Sequence, residues 1–168
     1  VTKLSINRML NLVIFGANGF IANTLINKTK SSNNLILISR ENYESNTNKY
    51  YSEIYFDLSK KNNSINIQKV SEKIQNKLTI NKTIFLLIAW EGKSFKGEIS
   101  KKISFENNQI IENYINIAKK VNPEQNIFLS SAGSIYDQNN LNFSKENDIP
   151  KPYSKYGFEK LYAEKYLQ

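Results

Sequence analysis

The stretch Asn11–Ala22, NLVIFGANGFIA, restricts the fold more than any other part of the chain. Leu12-Val13-Ile14-Phe15 is a short apolar run that ends at Gly16. A second glycine follows at Gly19, then Phe20-Ile21-Ala22, with Leu25 and Ile26 one turn further on. This pattern reads as a buried strand, a tight glycine turn and the opening of a helix. Gly16 permits the sharp turn, and Gly19 lets an anion approach the backbone with no Cβ in the way. Ala22 is small enough for the helix to lie close on the strand. The helix then aims its free N–H groups and positive dipole end at the crevice. The spacing G-x-x-G-x-x-A is one variant of the dinucleotide-binding fingerprint. A turn with no ligand also needs glycines, so this stretch alone leaves both readings open.

Composition narrows the chemistry by elimination. The chain has 168 residues, 40% of them hydrophobic and 23% charged, which suits one globular domain. No apolar run approaches the ~20 residues of a membrane span, and no signal-peptide pattern is present. Cysteine is absent, which fits a cytoplasmic protein. Histidine is absent too, so Cys/His zinc sites and Ser-His-Asp catalysis are excluded, and no metal is expected. Acid–base chemistry must come from Tyr, Lys, Asp or Glu. The net charge of +8 invites a nucleic-acid reading, but the lysines and arginines are scattered without a block. No nucleic-acid partner is expected; a small anionic ligand benefits from the same field.

Val1–Arg8 shows no pattern and reads as an extension ahead of a domain at 9–168. Leu35–Ile38 is a second buried strand ending in Ser39-Arg40. At this strand end an acidic residue bonds a ribose 2′-hydroxyl, whereas an Arg accommodates a 2′-phosphate. Arg40 therefore tilts the cofactor toward NADP(H) rather than NAD(H), a solvated loop charge being the other reading. Glu41–Ser52 reads as a loop, Ile54-Tyr55-Phe56 as a third strand, and Ile67, Val70, Ile74 and Leu78 fall at helical spacing. Thr83–Ala89 is apolar enough to require a sheet covered on both faces. Trp90–Ser100 suits a mobile loop. Phe105–Val121 is a helix burying Phe105, Ile111, Tyr114, Ile115 and Ala118, stopped by Asn122-Pro123. Ile127–Leu129 is a fifth strand, Asn139–Lys151 is polar, and Tyr153–Leu167 is the last helix. The alternation specifies an α/β fold, a Rossmann-type doubly wound parallel sheet with helices on both faces. Gly16, Arg40, Trp90 and Ser131 fall at carboxyl ends of strands, where such folds bind ligands.

Tyr156 and Lys160 are four apart, so on a helix their side chains are neighbours. A free tyrosine has a pKa of about 10, and a nearby ammonium favours the phenolate. With Ser131 at the adjacent strand end, the three make a proton-transfer site; an i, i+4 Tyr/Lys pair also arises by chance on surface helices.

Order and spacing now matter more than any single motif. FGANGFIA at 15–22, FLLIAW at 85–90, ENNQII at 106–111, FLSSAGSIY at 128–136 and PYSKYGFEKLYAE at 152–164 together resemble the extended short-chain dehydrogenase/reductase family of sugar-nucleotide epimerases, dehydratases and reductases. The resemblance implies Tyr156 as acid/base, Lys160 on the nicotinamide ribose, and Ser131 orienting the substrate oxygen, with Ser134 as the alternative serine. It implies a cofactor-binding set of Gly16, Asn18, Gly19, Phe20, Ile21, Arg40, Asp57, Leu58, Ala89, Trp90 and Lys160, with Asp57 on the adenine. Asn108 matches the family's helix asparagine, which with Ser134 faces substrate. The implied partners are a nucleotide sugar and, through the helices at 105–121 and 153–167, a second copy of the chain. The family usually has Gly at Ala22 and Thr at Phe15, the latter change being expected to loosen the turn. Its dehydratases carry Asp-Glu after the serine, where Ala132-Gly133 stand here, which argues against a 4,6-dehydratase. Family members continue into a C-terminal substrate lobe, so the chain is expected to be the cofactor-binding part of a longer epimerase or ketoreductase. The competing reading is a non-catalytic dinucleotide-binding module or an inactive fragment.

Overall fold

The structure is a computed structural model that describes residues 9–29, 33–41, 51–92, 99–136 and 144–168. The strands are β1 (Asn11–Phe15), β2 (Asn34–Ser39), β3 (Tyr51–Tyr55), β4 (Thr83–Leu87) and β5 (Gln125–Phe128). The helices are α1 (Phe20–Thr29), α2 (Ser64–Gln75), α3 (Lys101–Val121), the short α4 (Ala132–Ile135) and α5 (Lys155–Leu167). The strands form one parallel sheet in the order β3-β2-β1-β4-β5.

Apolar side chains leave the sheet on both faces, as a covered parallel sheet requires. Val13, Phe15, Ile36, Ile38, Phe85 and Leu87 meet Ile67, Val70 and Ile74 of α2 and Ile110, Tyr114 and Ile117 of α3. On the other face Ile14, Leu35 and Leu37 meet Ala22 and Ile26 of α1. Phe15 does not loosen the turn that follows it. Its ring is wholly buried, 5.1 Å from Phe85 and 5.0 Å edge-on from Tyr114, and it anchors β1 under that turn.

Local chemistry sets the helix ends. Asn63, Ser100 and Ser154 accept hydrogen bonds from the amides of Asn66, Ile103 and Gly157 and so cap α2, α3 and α5. Asn122 closes α3 in the left-handed region, with Pro123 behind it. These caps explain the boundaries that periodicity misplaces: α3 starts at Lys101 rather than Phe105, and α5 at Lys155 rather than Tyr153. Phe105 is 54% exposed, a correction to the expected buried face, because the α3 stripe runs through Ile110, Ile111, Tyr114 and Ile117. β3 takes in Tyr51 and Ser52 from the expected loop, and β5 lies two residues earlier at its start than expected. The extension at 1–8, and most of the loops expected over 41–52 and 90–100 and part of that over 139–151, lie outside the described residues.

At the amino end of the sheet, buried Asn11 ties three segments together. Its Nδ2 donates to the carbonyls of Thr79 (3.0 Å) and Asn81 (2.8 Å), and its Oδ1 accepts from the Thr79 amide (3.0 Å) and Asn34 Nδ2 (2.8 Å). Asn11→Ala strands buried polar groups, so it is expected to cost about 2–4 kcal/mol of stability, read from the urea midpoint. An unchanged midpoint would contradict this role.

Candidate active site

β1, β2 and β4 end level with one another, Phe15 pairing with Ile38 on one side and Leu87 on the other. The chain runs outward in opposite directions from β1, and such a reversal leaves a crevice at the carboxyl ends of the strands. The cleft there, about 260 Å³, is walled by the Gly16–Gly19 turn, by Ser39–Glu41 after β2, by Asp57–Ser59 and by Ile88–Glu91 after β4. Gly16 has φ +93°, and a Cβ on it would lie 2.6 Å from the Ala89 amide nitrogen. Only glycine fits there. A Cβ on Gly19 would meet nothing nearer than the Gly16 carbonyl at 3.4 Å, so the turn is open on its outer side. The Phe20 and Ile21 side chains are exposed and stand outside the cleft. They would serve an anion only through their first-turn amides, which a helix leaves without internal acceptors.

Charge is arranged around the rim. Arg40 Nη1 is 2.5 Å from Glu91 Oε1, an ion pair across the mouth of the cleft. Asp57 is partly buried, which pushes its carboxyl up, but hydrogen bonds from the Ser59 hydroxyl and amide and the nearby Lys60 ammonium outweigh burial and hold it below the usual carboxylate value. Both of its oxygens are thus engaged by its own loop, Oδ1 by Ser59 and Oδ2 by Lys60 at 3.3 Å.

The proton-transfer candidates gather beyond Trp90, at the carboxyl end of β5. The Ser131 hydroxyl donates to Ser134 Oγ (3.2 Å) and lies close enough to the Tyr156 phenol to act on its pKa. Burial pushes the Tyr156 phenol above its ordinary value, partly offset by the Ser131 hydrogen bond. The expected lowering by Lys160 is not what this geometry gives. The Lys160 ammonium donates to the Leu129 carbonyl (3.1 Å) and lies 4.3 Å from the Trp90 ring centroid and 4.7 Å from that of Phe128. The Tyr156 ring is further off, at 5.9 Å.

Lys160 is only 3% exposed, and burial, opposed by the Glu164 carboxylate, pulls its pKa down to about 8. Below that pH it is protonated folded or unfolded. Between about 8 and the ordinary 10.5 the unfolded chain binds more protons, so this group makes the fold more stable as pH rises. NMR of the reductively methylated chain should show one lysine titrating near pH 8 and missing in Lys160→Arg. Uniform titration near 10.5 would contradict it.

Eight of the expected cofactor residues line the cleft: Gly16, Asn18, Gly19, Arg40, Asp57, Leu58, Ala89 and Trp90. Asn108 is a correction. It lies on the exposed face of α3, while Asn107, one residue earlier, sits on the side of Ile110 and Ile111 and is 1% exposed. Asn107 Oδ1 accepts from the Glu91 amide (2.9 Å), and its Nδ2 donates to the Glu91 carbonyl (3.2 Å) and Glu159 Oε2 (2.9 Å). Glu91, Asn107, Glu159 and Gly157 are absent from the sequence-based set. An asparagine falling in the apolar stripe of α3 was the available signal for Asn107. A second opening, about 730 Å³, lies between the ends of α3 and α5 beside β5 and contains none of the expected residues.

A parallel sheet in this order, with a glycine turn and helix start at its switch point, defines a Rossmann-type domain. The model of the NAD dependent epimerase/dehydratase family matches residues 12–168, and the chain belongs to that family. Comparison with curated proteins found no significant match. Among solved structures, the chain resembles a UDP-N-acetylglucosamine 4-epimerase from Bacillus cereus (18% identity, TM-score 0.65, 93% of this chain and 49% of that one). It also resembles the UDP-glucose 4-epimerase of Thermus thermophilus in complex with NAD (17%, 0.69, 95% and 50%) and a hypothetical dTDP-4-dehydrorhamnose reductase from Sulfolobus tokodaii (21%, 0.66, 94% and 52%). The chain spans about half the length of these proteins. The cleft fits a nicotinamide dinucleotide: the turn is open to a phosphate, and at the ends of β4 and β5 Trp90 Nε1 and Ser130 Oγ are buried without hydrogen-bond partners among the described residues.

Proposed function

We propose that this chain is the cofactor-binding part of an NAD(P)-dependent sugar-nucleotide epimerase or ketoreductase in which Tyr156 is the acid/base. The observation that carries the reading is the meeting of Tyr156, Ser131 and Ser134 beside a cleft built on a glycine turn. The nicotinamide, when bound, supplies or accepts the hydride. The chain handles the proton. Tyr156 Oη gives a proton to a sugar ketone oxygen, or takes one from a hydroxyl, and the Ser131 hydroxyl orients that oxygen. Burial keeps the phenol protonated but also makes it a weaker acid, so the shift by itself favours neither direction. Gly16, Gly19 and the amides of Phe20 and Ile21 hold the pyrophosphate, the cleft residues after β2, β3 and β4 hold the adenosine, and Lys160 approaches the nicotinamide ribose.

The place of this work would be nucleotide-sugar metabolism supplying polysaccharide synthesis, in the cytoplasm; among the described residues no helix is long and apolar enough to cross a membrane. A homodimer through α3 and α5 is supported by exposed Phe105, Phe158, Tyr162 and Tyr166, the last two stacked 5.9 Å apart. The second reading, a non-catalytic dinucleotide-binding module, is favoured by the Lys160 ammonium lying against Leu129 and Trp90 rather than the phenol. The test offers an enzyme containing this chain UDP- and dTDP-linked sugars with NAD(H) or NADP(H) and follows products by NMR. Inversion at a sugar carbon without net cofactor consumption marks the epimerase, and stoichiometric oxidation of reduced cofactor by a keto sugar marks the reductase. Cofactor binding with no conversion favours the module.

A further inference from the structure

Arg40 and Glu91 reach the cleft from different strands, and each changes what the other offers a ligand. Arg40 follows β2, where a guanidinium serves an adenosine 2′-phosphate only while its charge is available. Glu91 follows β4, and its carboxylate takes that charge at 2.5 Å. The placement is not that of a free loop carboxylate. Both backbone polar groups of Glu91 are held by buried Asn107, which is itself held by Glu159, whose other oxygen accepts from the Ser104 hydroxyl. The Arg40 and Glu91 side chains are 55% and 27% exposed, so the carboxylate is the more enclosed partner. A 2′-phosphate brought to Arg40 would stand beside this carboxylate and be repelled, whereas a 2′-hydroxyl is uncharged and can donate a hydrogen bond to it.

We propose that Glu91 is a cofactor-selecting residue, neutralising Arg40 at the cleft rim so that the chain takes NAD(H) in preference to NADP(H). This rests on the cleft being a dinucleotide site. It reverses the preference that Arg40 suggests when read without its partner.

The experiment titrates the 168-residue chain, Glu91→Gln, Glu91→Ala and the double variant Arg40→Gln/Glu91→Gln with NADH and with NADPH by calorimetry. Glu91 meets Asn107 only through its backbone, so the substitutions leave those contacts in place; circular dichroism checks the fold of each variant. The unaltered chain is expected to bind NADH at least about tenfold more tightly than NADPH. Either Glu91 substitution should raise the affinity for NADPH relative to NADH by about tenfold, and adding Arg40→Gln should abolish the gain. An NADPH/NADH ratio unchanged by both Glu91 substitutions overturns the selection while leaving the dinucleotide site standing. Failure of the folded, unaltered chain to bind either nucleotide overturns the site and the selection together.

Discussion

Gly157→Ala is expected to disable the site although alanine is the better helix former. Within α5 the change should gain about 1 kcal/mol in helix propensity. A Cβ at this position, however, would lie 2.0 Å from the Ser134 carbonyl oxygen and 2.9 Å from Pro152 Cβ. The nearest atom is backbone, so the overlap is relieved only by moving α4 away from α5 by more than an ångström. Overpacking of this kind costs about 1–3 kcal/mol and outweighs the propensity gain. The same movement separates Ser131 from Tyr156, and a misplacement of ~1 Å at a reacting centre can cost about 10²-fold in rate. Turnover by an enzyme containing this chain should fall by that order, with a lower unfolding midpoint. A raised midpoint with undiminished turnover would show that the close contact between the two helices has no part in the site.

Tyr156→Phe removes one oxygen and leaves the packing of a half-buried ring. If the phenol carries the proton, turnover should fall by about 10²–10⁴-fold, the usual worth of a positioned general acid or base. Tyr156 does not line the cleft, so cofactor affinity should stay within about threefold of the unaltered enzyme. That split between lost turnover and retained binding separates a catalytic role from a structural one. Near-normal turnover would remove Tyr156 from the chemistry.

The fold is legible in the sequence where one physical constraint dominates. A four-residue apolar run closed by glycine leaves few alternatives to a buried strand and turn; the other strands follow from short apolar runs, and four of the five helices from apolar residues at helical spacing. The short helix at Ala132–Ile135 is hidden because Ser-Ala-Gly-Ser has no apolar period. The cleft is legible for the same reason as the strands: its residues sit at strand ends, and topology brings strand ends together. What escapes depends on pairs distant in sequence. Glu91 gains meaning only from Arg40, 51 residues earlier, and Asn107 only from Glu91 and Glu159. Gly157 is constrained by a carbonyl of another helix rather than by its own backbone angles, which no local pattern records. The Tyr156–Lys160 spacing does signal adjacency on one helix. Which groups the ammonium chooses depends on Trp90 and Phe128, and these reach it from β4 and β5.

Everything proposed for this chain depends on the cleft at the ends of β1, β2 and β4 holding a nicotinamide dinucleotide. Trp90 is the chain's only tryptophan and lines that cleft, so its emission reports on the site. The decisive experiment is titration of the folded chain with NADH, following Trp90 quenching together with tryptophan-excited nicotinamide emission. Saturable quenching with a matching rise in nicotinamide emission is expected, both abolished in a folded Gly19→Val variant. A folded chain whose Trp90 emission stays unchanged up to millimolar NADH would contradict a dinucleotide site here.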